Sequence, residues 1–230
     1  MSTEQSTAHP VTVLMRAYYS SYHLWAARDF ASKAGEIEKA HSGRSRFDLP
    51  HRAYVTSAVL SSVAFMEALI NEFYQDIADR HPGFRADVSP QAHEQIQTFW
   101  DAAEGRKFGV LEKVQMALVL CGRPSFPKGQ APYQDAALLI ELRNELVHYK
   151  PKDLGGGIEH RLDAKLQNKF PLNALMAGAG NPFFPDHLLG AGCANWAAAS
   201  ALALADAFAQ AVDLHPNYKH LPTGLRTPQP

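Results

Sequence analysis

Cysteine is scarce in this chain: 230 residues hold two, Cys121 and Cys193. Two thiols cannot build a disulfide framework or a four-cysteine zinc cluster, and a reducing, cytoplasmic setting is the simplest expectation. A surplus of charge is missing too. Lys and Arg total 22, Asp and Glu 23, and the net charge is -1. That excludes a broad cationic surface gripping many phosphates, so any contact with nucleic acid must be local. A small cationic cleft would still serve an enzyme that cuts RNA. The first residues lack a charged segment followed by a long apolar run, so no signal peptide is expected. The one membrane suspect, residues 193–212, is dominated by alanine and interrupted by Asn195, Asp206 and Gln210. A buried helix is expected there, and no membrane partner. Convincing strand alternation, internal repeats and Gly-rich nucleotide fingerprints are absent. Gly155-Gly156-Gly157 lacks the lysine of a phosphate loop and reads as a linker.

What is present is helical periodicity. Residues 11–41 read as one amphipathic helix, with apolar positions at Val11, Leu14, Met15, Tyr18, Tyr22 and Trp25. Residues 52–78 carry the clearest stripe: Val55, Val59, Ser62, Phe65, Met66, Leu69, Phe73 and Ile77. His81-Pro82-Gly83 stops it. Residues 90–103 and 107–121 predict two shorter helices, and 133–149 another, ended by Pro151. Residues 152–192 are irregular, with a short helix expected over 161–169 and with Phe183 and Phe184 packing onto the bundle. The last helix is expected over 194–214, then an extended, proline-bearing tail at 216–230. The fold class is therefore all-α: one domain over residues 1–230, a helical bundle with its core at about 52–214 and a long irregular insertion before the last helix.

The sharpest local pattern is Arg143-Asn144-Glu-Leu-Val-His148, near the end of a helix and followed by Tyr149 and Lys150. Arg-x4-His alone is cheap; a second match, Arg46 to His51, spans Pro50 in a polar stretch. Adding the Asn and the helical setting makes the pattern rare. At about 100° per residue, Asn144 and His148 lie about 40° apart, with Glu141 beside them. Ala136, Leu139, Leu142 and Leu146 face the other way, as core. Arg143 falls about 140° from His148, on the apolar flank, where a guanidinium needs a carboxylate such as Glu67 or Glu72. Cutting RNA through its ribose 2′-hydroxyl calls for a base, an acid and a cation for the phosphorane charge. One copy offers one imidazole; two copies about a two-fold axis offer two His and two Arg.

This segment resembles the HEPN superfamily, whose ribonuclease members carry Arg, a polar residue and a later His near a helix end. The stretch Ser61–Tyr74, with Glu67 and Asn71 four apart, and the Trp196-bearing last helix are similar to other helices of that group. The resemblance covers roughly residues 52–214. It implies a metal-independent, cofactor-free endoribonuclease with a composite site in a homodimer. Arg143 would bind the scissile phosphate, His148 would act as acid or base, and Asn144 would orient His148 or a phosphate oxygen. Glu67 and Asn71 would support, and Tyr149 and Lys150 would touch the RNA backbone. Stress response, toxin–antitoxin action or phage defence is the implied role, with an antitoxin or regulatory protein as a possible partner. A subfamily regulated by modification of a Tyr two residues after the His departs from this chain, where Lys150 holds that place.

The plainer readings stand beside it. Arg143 and His148 could be last-turn cations favoured by the helix dipole. Glu67 and Asn71 could be a structural polar pair, and Glu141 and Glu145 solvated charges. His160, His187 and Cys193 match no metal spacing. The rival function is a non-catalytic helical module that binds a protein or a nucleotide.

Overall fold

The computed structural model describes residues 15–41, 43, 45–81, 88–102, 107–151, 153–155 and 157–220. Seven α-helices are seen in them: α1 (Tyr19–Ala40), α2 (Leu49–Ala78), α3 (Pro90–Asp101), α4 (Val110–Leu120), α5 (Tyr133–Val147), α6 (Asp163–Leu166) and α7 (Ala191–Ala211). Among the described residues there is no strand, only an isolated bridge between Gly155 and Ile158. The chain is an all-α bundle, as its periodicity predicts. Expectations that touch residues 1–14, Pro82, Gly83, Gly105, Lys152 and 221–230 lie outside the described residues.

α2 is the central helix, packed by α1, α7, α3, α5 and α4. Its predicted stripe, Val55 through Ile77, is buried at every position. It starts earlier than its apolar pattern suggests, because Asp48 caps it: the carboxylate accepts the His51 N–H at 2.9 Å, and Pro50 occupies the first turn. Among the described helices α2, rather than residues 193–212, is long and apolar enough to cross a membrane. Its apolar stripe forms the centre of the core.

α1 is shorter than the expected 11–41, and Met15–Tyr18 is not helical. The cause is a row of acids on the last turns of α2. Glu72 accepts both the Ser20 N–H (2.8 Å) and the Ser20 hydroxyl (2.6 Å), so an acid from another helix satisfies orphan donors of α1's first turn. Arg16 reaches Asp76 at 2.7 Å and Asp79 at 2.8 Å. α1 buries Ser20, Leu24, Ala27, Ala31 and Ala34. These mostly small residues let it lie close along α2, so the core begins well before residue 52. α7 packs on both helices with Ala194, Ala197, Ala201, Leu204, Ala205 and Phe208.

One carboxylate ties three helix ends together. Glu38, near the end of α1, accepts from His51 Nε2 (2.8 Å) in the first turn of α2 and from the Ala191 N–H (2.7 Å) at the start of α7. At the other end, Phe73 and Phe208 meet edge to face at 5.0 Å. α2 and α7 therefore run parallel, and α1 runs against both.

The C-terminal segment is not simply extended. Asn217–His220 is a 3-10 turn, and Tyr218 is buried beside Phe65, its hydroxyl donating to Asp206 at 2.8 Å. The core thus extends past residue 214.

Candidate active site

α5 ends at Val147, so His148 is its C-cap (φ -105, ψ 26) and Tyr149 lies beyond it, not inside it as expected. The His148 N–H donates to the Asn144 carbonyl at 2.9 Å, which holds the two residues one turn apart. Both side chains are exposed, as are Tyr149 and Lys150. Ala136, Leu139 and Leu142 are buried on the opposite face, and Leu146 packs half-buried against the core.

Arg143 turns toward α2. Its Nη2 donates to Glu67 Oε1 at 2.9 Å, so the carboxylate the guanidinium requires is Glu67. Glu72 is spent on Ser20. Arg143 Nε is buried with no hydrogen-bond partner among the described residues. Asn71, one turn along α2 from Glu67, accepts from Lys113 Nζ at 2.8 Å. Within one chain, then, Arg143, Glu67 and Asn71 occupy the α2–α5 side, while Asn144 and His148 lie on the open face of α5.

Glu141 and Glu145 are not solvated charges. The insertion runs back along α5 and pairs with it in sequence. Lys169 meets Asp135 at 2.8 Å, and Lys165 meets Glu141 at 2.9 Å. Arg161 bridges Glu141 and Glu145, and His160 Nε2 reaches Glu145 at 3.0 Å. His160 Nδ1 accepts the Leu162 N–H, which leaves Nε2 to carry the proton toward Glu145. The buried imidazole also stacks on Phe184 at 4.1 Å. Asn173, buried, donates to the Asp186 carbonyl and accepts from the Leu175 N–H. Arg52 ties Asp186 to α2 at 2.6 Å. The insertion is a packed flank of α5.

This ladder is what sequence reasoning missed. The signal was available: Glu141 and Glu145 are acids four apart, and Arg161 and Lys165 are cations four apart, across the Gly-rich stretch. Phe184 is buried and Phe183 half-buried, as expected for core; Trp196 packs half-buried on Phe170 at 5.2 Å. The structure does not gather His160, His187 and Cys193. His160 is committed to Glu145, and Cys193 is buried, with its thiol pushed up by that burial. Searches with family models, against curated proteins and against solved structures find no match for this chain.

Proposed function

We propose that the chain is a HEPN-type, metal-independent endoribonuclease whose active site is completed by a second copy. The observation that supports it most directly is the open face of α5. Asn144 and His148 are exposed there, and Arg143 is held to Glu67 on the adjoining α2–α5 side. Tyr133, Ala137, Ile140, Asn144 and Val147 fall at spacings of four, three, four and three residues, the seam of a two-helix contact. Val147 is 52% exposed. Ion pairs to the insertion flank this strip on one side and the Arg143–Glu67 pair on the other, and a second α5 about a two-fold axis would meet it between them. A polar Asn within such a seam sets register.

In that dimer one His148 takes the proton of the ribose 2′-hydroxyl. The oxygen attacks phosphorus, and the P–O5′ bond breaks. The second copy's His148 gives its proton to the leaving 5′ oxygen. Arg143 neutralises the charge gathering on the phosphorane. The products are a 2′,3′-cyclic phosphate and a 5′-hydroxyl. The balanced net charge suits brief, local contact with RNA. A cytoplasmic toxin or defence effector, restrained by an antitoxin or regulatory protein, is the role this chemistry fits.

One observation favours the rival, a non-catalytic module that binds a protein or nucleotide: Arg143 already has a carboxylate partner within its own chain. The test is cleavage of labelled single-stranded and transfer RNA in EDTA by wild type, His148→Ala and Arg143→Ala. Cutting by wild type alone, with cyclic-phosphate ends, supports the ribonuclease. Silence from a well-folded wild-type dimer supports the rival.

A further inference from the structure

A cleft of about 570 Å³ lies between α2, α3, α4 and the non-helical Arg16–Tyr18 segment. Its wall includes Asn71, Gln75, Trp100 and Lys113. Lys113 stands in the first turns of α4 and is only 8% exposed. Its position is fixed twice from α2. Tyr74 donates its hydroxyl to the Lys113 carbonyl at 2.9 Å, and Asn71 Oδ1 accepts from Nζ at 2.8 Å. Trp100 is stacked on Tyr74 at 5.1 Å and lies 5.5 Å from the ammonium. The Trp100 indole is in turn held by Gln75 at 2.9 Å.

No carboxylate among the described residues forms an ion pair with this ammonium. Its one hydrogen-bond acceptor among them is the neutral amide of Asn71. The acids of the cleft are engaged elsewhere: Glu72 with Ser20, Asp76 and Asp79 with Arg16. Glu67, one turn from Asn71, is bonded to Arg143. Burial lowers the Lys113 pKa, with Glu67 pulling the other way. A cation nine-tenths out of water is costly to keep when the one acid acting on it, Glu67, is bonded to Arg143. Nζ retains two further N–H donors directed by a fixed stem, and Asn71 Nδ2 has no partner of its own among the described residues.

We propose that this cleft is a phosphate-binding site, with Lys113 supplying the charge and Asn71 Nδ2 a neutral donor. The phosphate comes either from an RNA strand, next to the diester held by Arg143, or from a free nucleotide. Glu67 and Asn71, one helical turn apart on α2, hold Arg143 and Lys113, so a strand bound at Arg143 would have Lys113 on the same side of α2. That RNA arm rests on the ribonuclease reading; the site itself does not.

The test uses the full chain. Thermal unfolding is followed in inorganic phosphate and in chloride at equal ionic strength, for wild type, Lys113→Met and Lys113→Arg. Phosphate raises the wild-type midpoint through mass action, leaves Lys113→Met unmoved and acts partly on Lys113→Arg. Affinity falls on the order of tenfold to a hundredfold in Lys113→Met. If Lys113→Met does not fold, the carbon NMR signal of the Lys113 side chain in wild type decides: saturable movement with phosphate supports the site, and no movement overturns it. Equal phosphate effects on wild type and Lys113→Met also overturn it. Adenosine monophosphate and a 2′-deoxy oligonucleotide, titrated separately, identify the source by which one saturates first. A chain that cuts no RNA but responds to phosphate through Lys113 loses the ribonuclease reading and keeps this site. A chain that cuts RNA with an unchanged KM in Lys113→Met, and ignores phosphate, keeps the reading and loses the site.

Discussion

Arg143 and Glu67 face each other across the α2–α5 contact with 2.9 Å between Nη2 and Oε1, and the Glu67 side chain is 48% exposed. The pair sits at the edge of the bundle, open enough for an anion to compete for the guanidinium. Exposed pairs of this kind contribute about 0–1 kcal/mol. Glu67→Gln should therefore change stability little while removing the competitor. Fluorescence anisotropy with a non-cleavable 2′-deoxy strand should show tighter binding. Looser binding would instead make Glu67 the residue that positions Arg143 for RNA.

Val147 tests the composite site. It is an exposed residue on the open seam of α5, so Val147→Glu should leave the monomer folded while placing like charges across the two-fold axis. Light scattering should report a monomer, and RNA cleavage should vanish with the dimer. A monomeric variant that still cuts at the wild-type rate would remove the need for two copies of His148.

The Glu145–His160 bond is the best-buried rung of the ladder on α5. Glu145→Ala would leave the His160 Nε2 donor and the Arg161 guanidinium without their shared acceptor. The expected loss is about 1–3 kcal/mol. Urea unfolding monitored by helical circular dichroism measures it. A change below about 0.5 kcal/mol would mean that the insertion is held by packing alone.

Two acids on α2 give the protein a pH signature. Burial pushes Glu72 above the ordinary carboxylate range, against the bonds from Ser20, and burial likewise raises Asp76 despite Arg16. A raised folded-state pKa means that the folded chain holds more protons than the unfolded chain through that window. Stability from these groups is present below the ordinary carboxylate pKa and is lost as pH rises through the raised value. Glu72→Gln keeps an acceptor for the Ser20 N–H, so its stability relative to wild type should improve from pH 4 to pH 7. Parallel unfolding curves at both pH values would contradict the buried-charge account.

Gly192 reports how tightly the insertion seats on α7. A Cβ there would stand 2.1 Å from the Pro171 carbonyl oxygen, so backbone would have to move. Gly192→Ala should cost about 1–3 kcal/mol or more. Gly180→Ala is the control, since nothing lies within 4 Å of its Cβ. A difference between the two in thermal unfolding is the expected result; equal midpoints would mean the segment yields easily.

The parts of this fold legible in the sequence are those set by repeating burial. The α2 stripe and the core face of α5 follow from apolar spacing, which only one kind of element satisfies. The start of α1 was not legible, because Glu72, Asp76 and Asp79 decide it from more than fifty residues away. Tyr218 was hidden for a similar reason: a lone aromatic near a proline-bearing tail gives no period, and its burial depends on Phe65 and Asp206. In the candidate site, Arg143 needed a carboxylate, and Glu67 could be named from chemistry. That Lys113 would share the same face of α2 could not, since it arrives on a separate helix.

Glu38 binds the first turns of α2 and α7 to the end of α1, and two parallel helices give the molecule a polar axis. The peptide dipoles of α2 and α7 add, with their positive ends meeting at one carboxylate and their negative ends at the opposite pole. Arg16 sits at that negative pole, clasped to Asp76 and Asp79. α1 points the other way, so its dipole offsets part of that axis, and the two poles are complemented by side chains of this same chain.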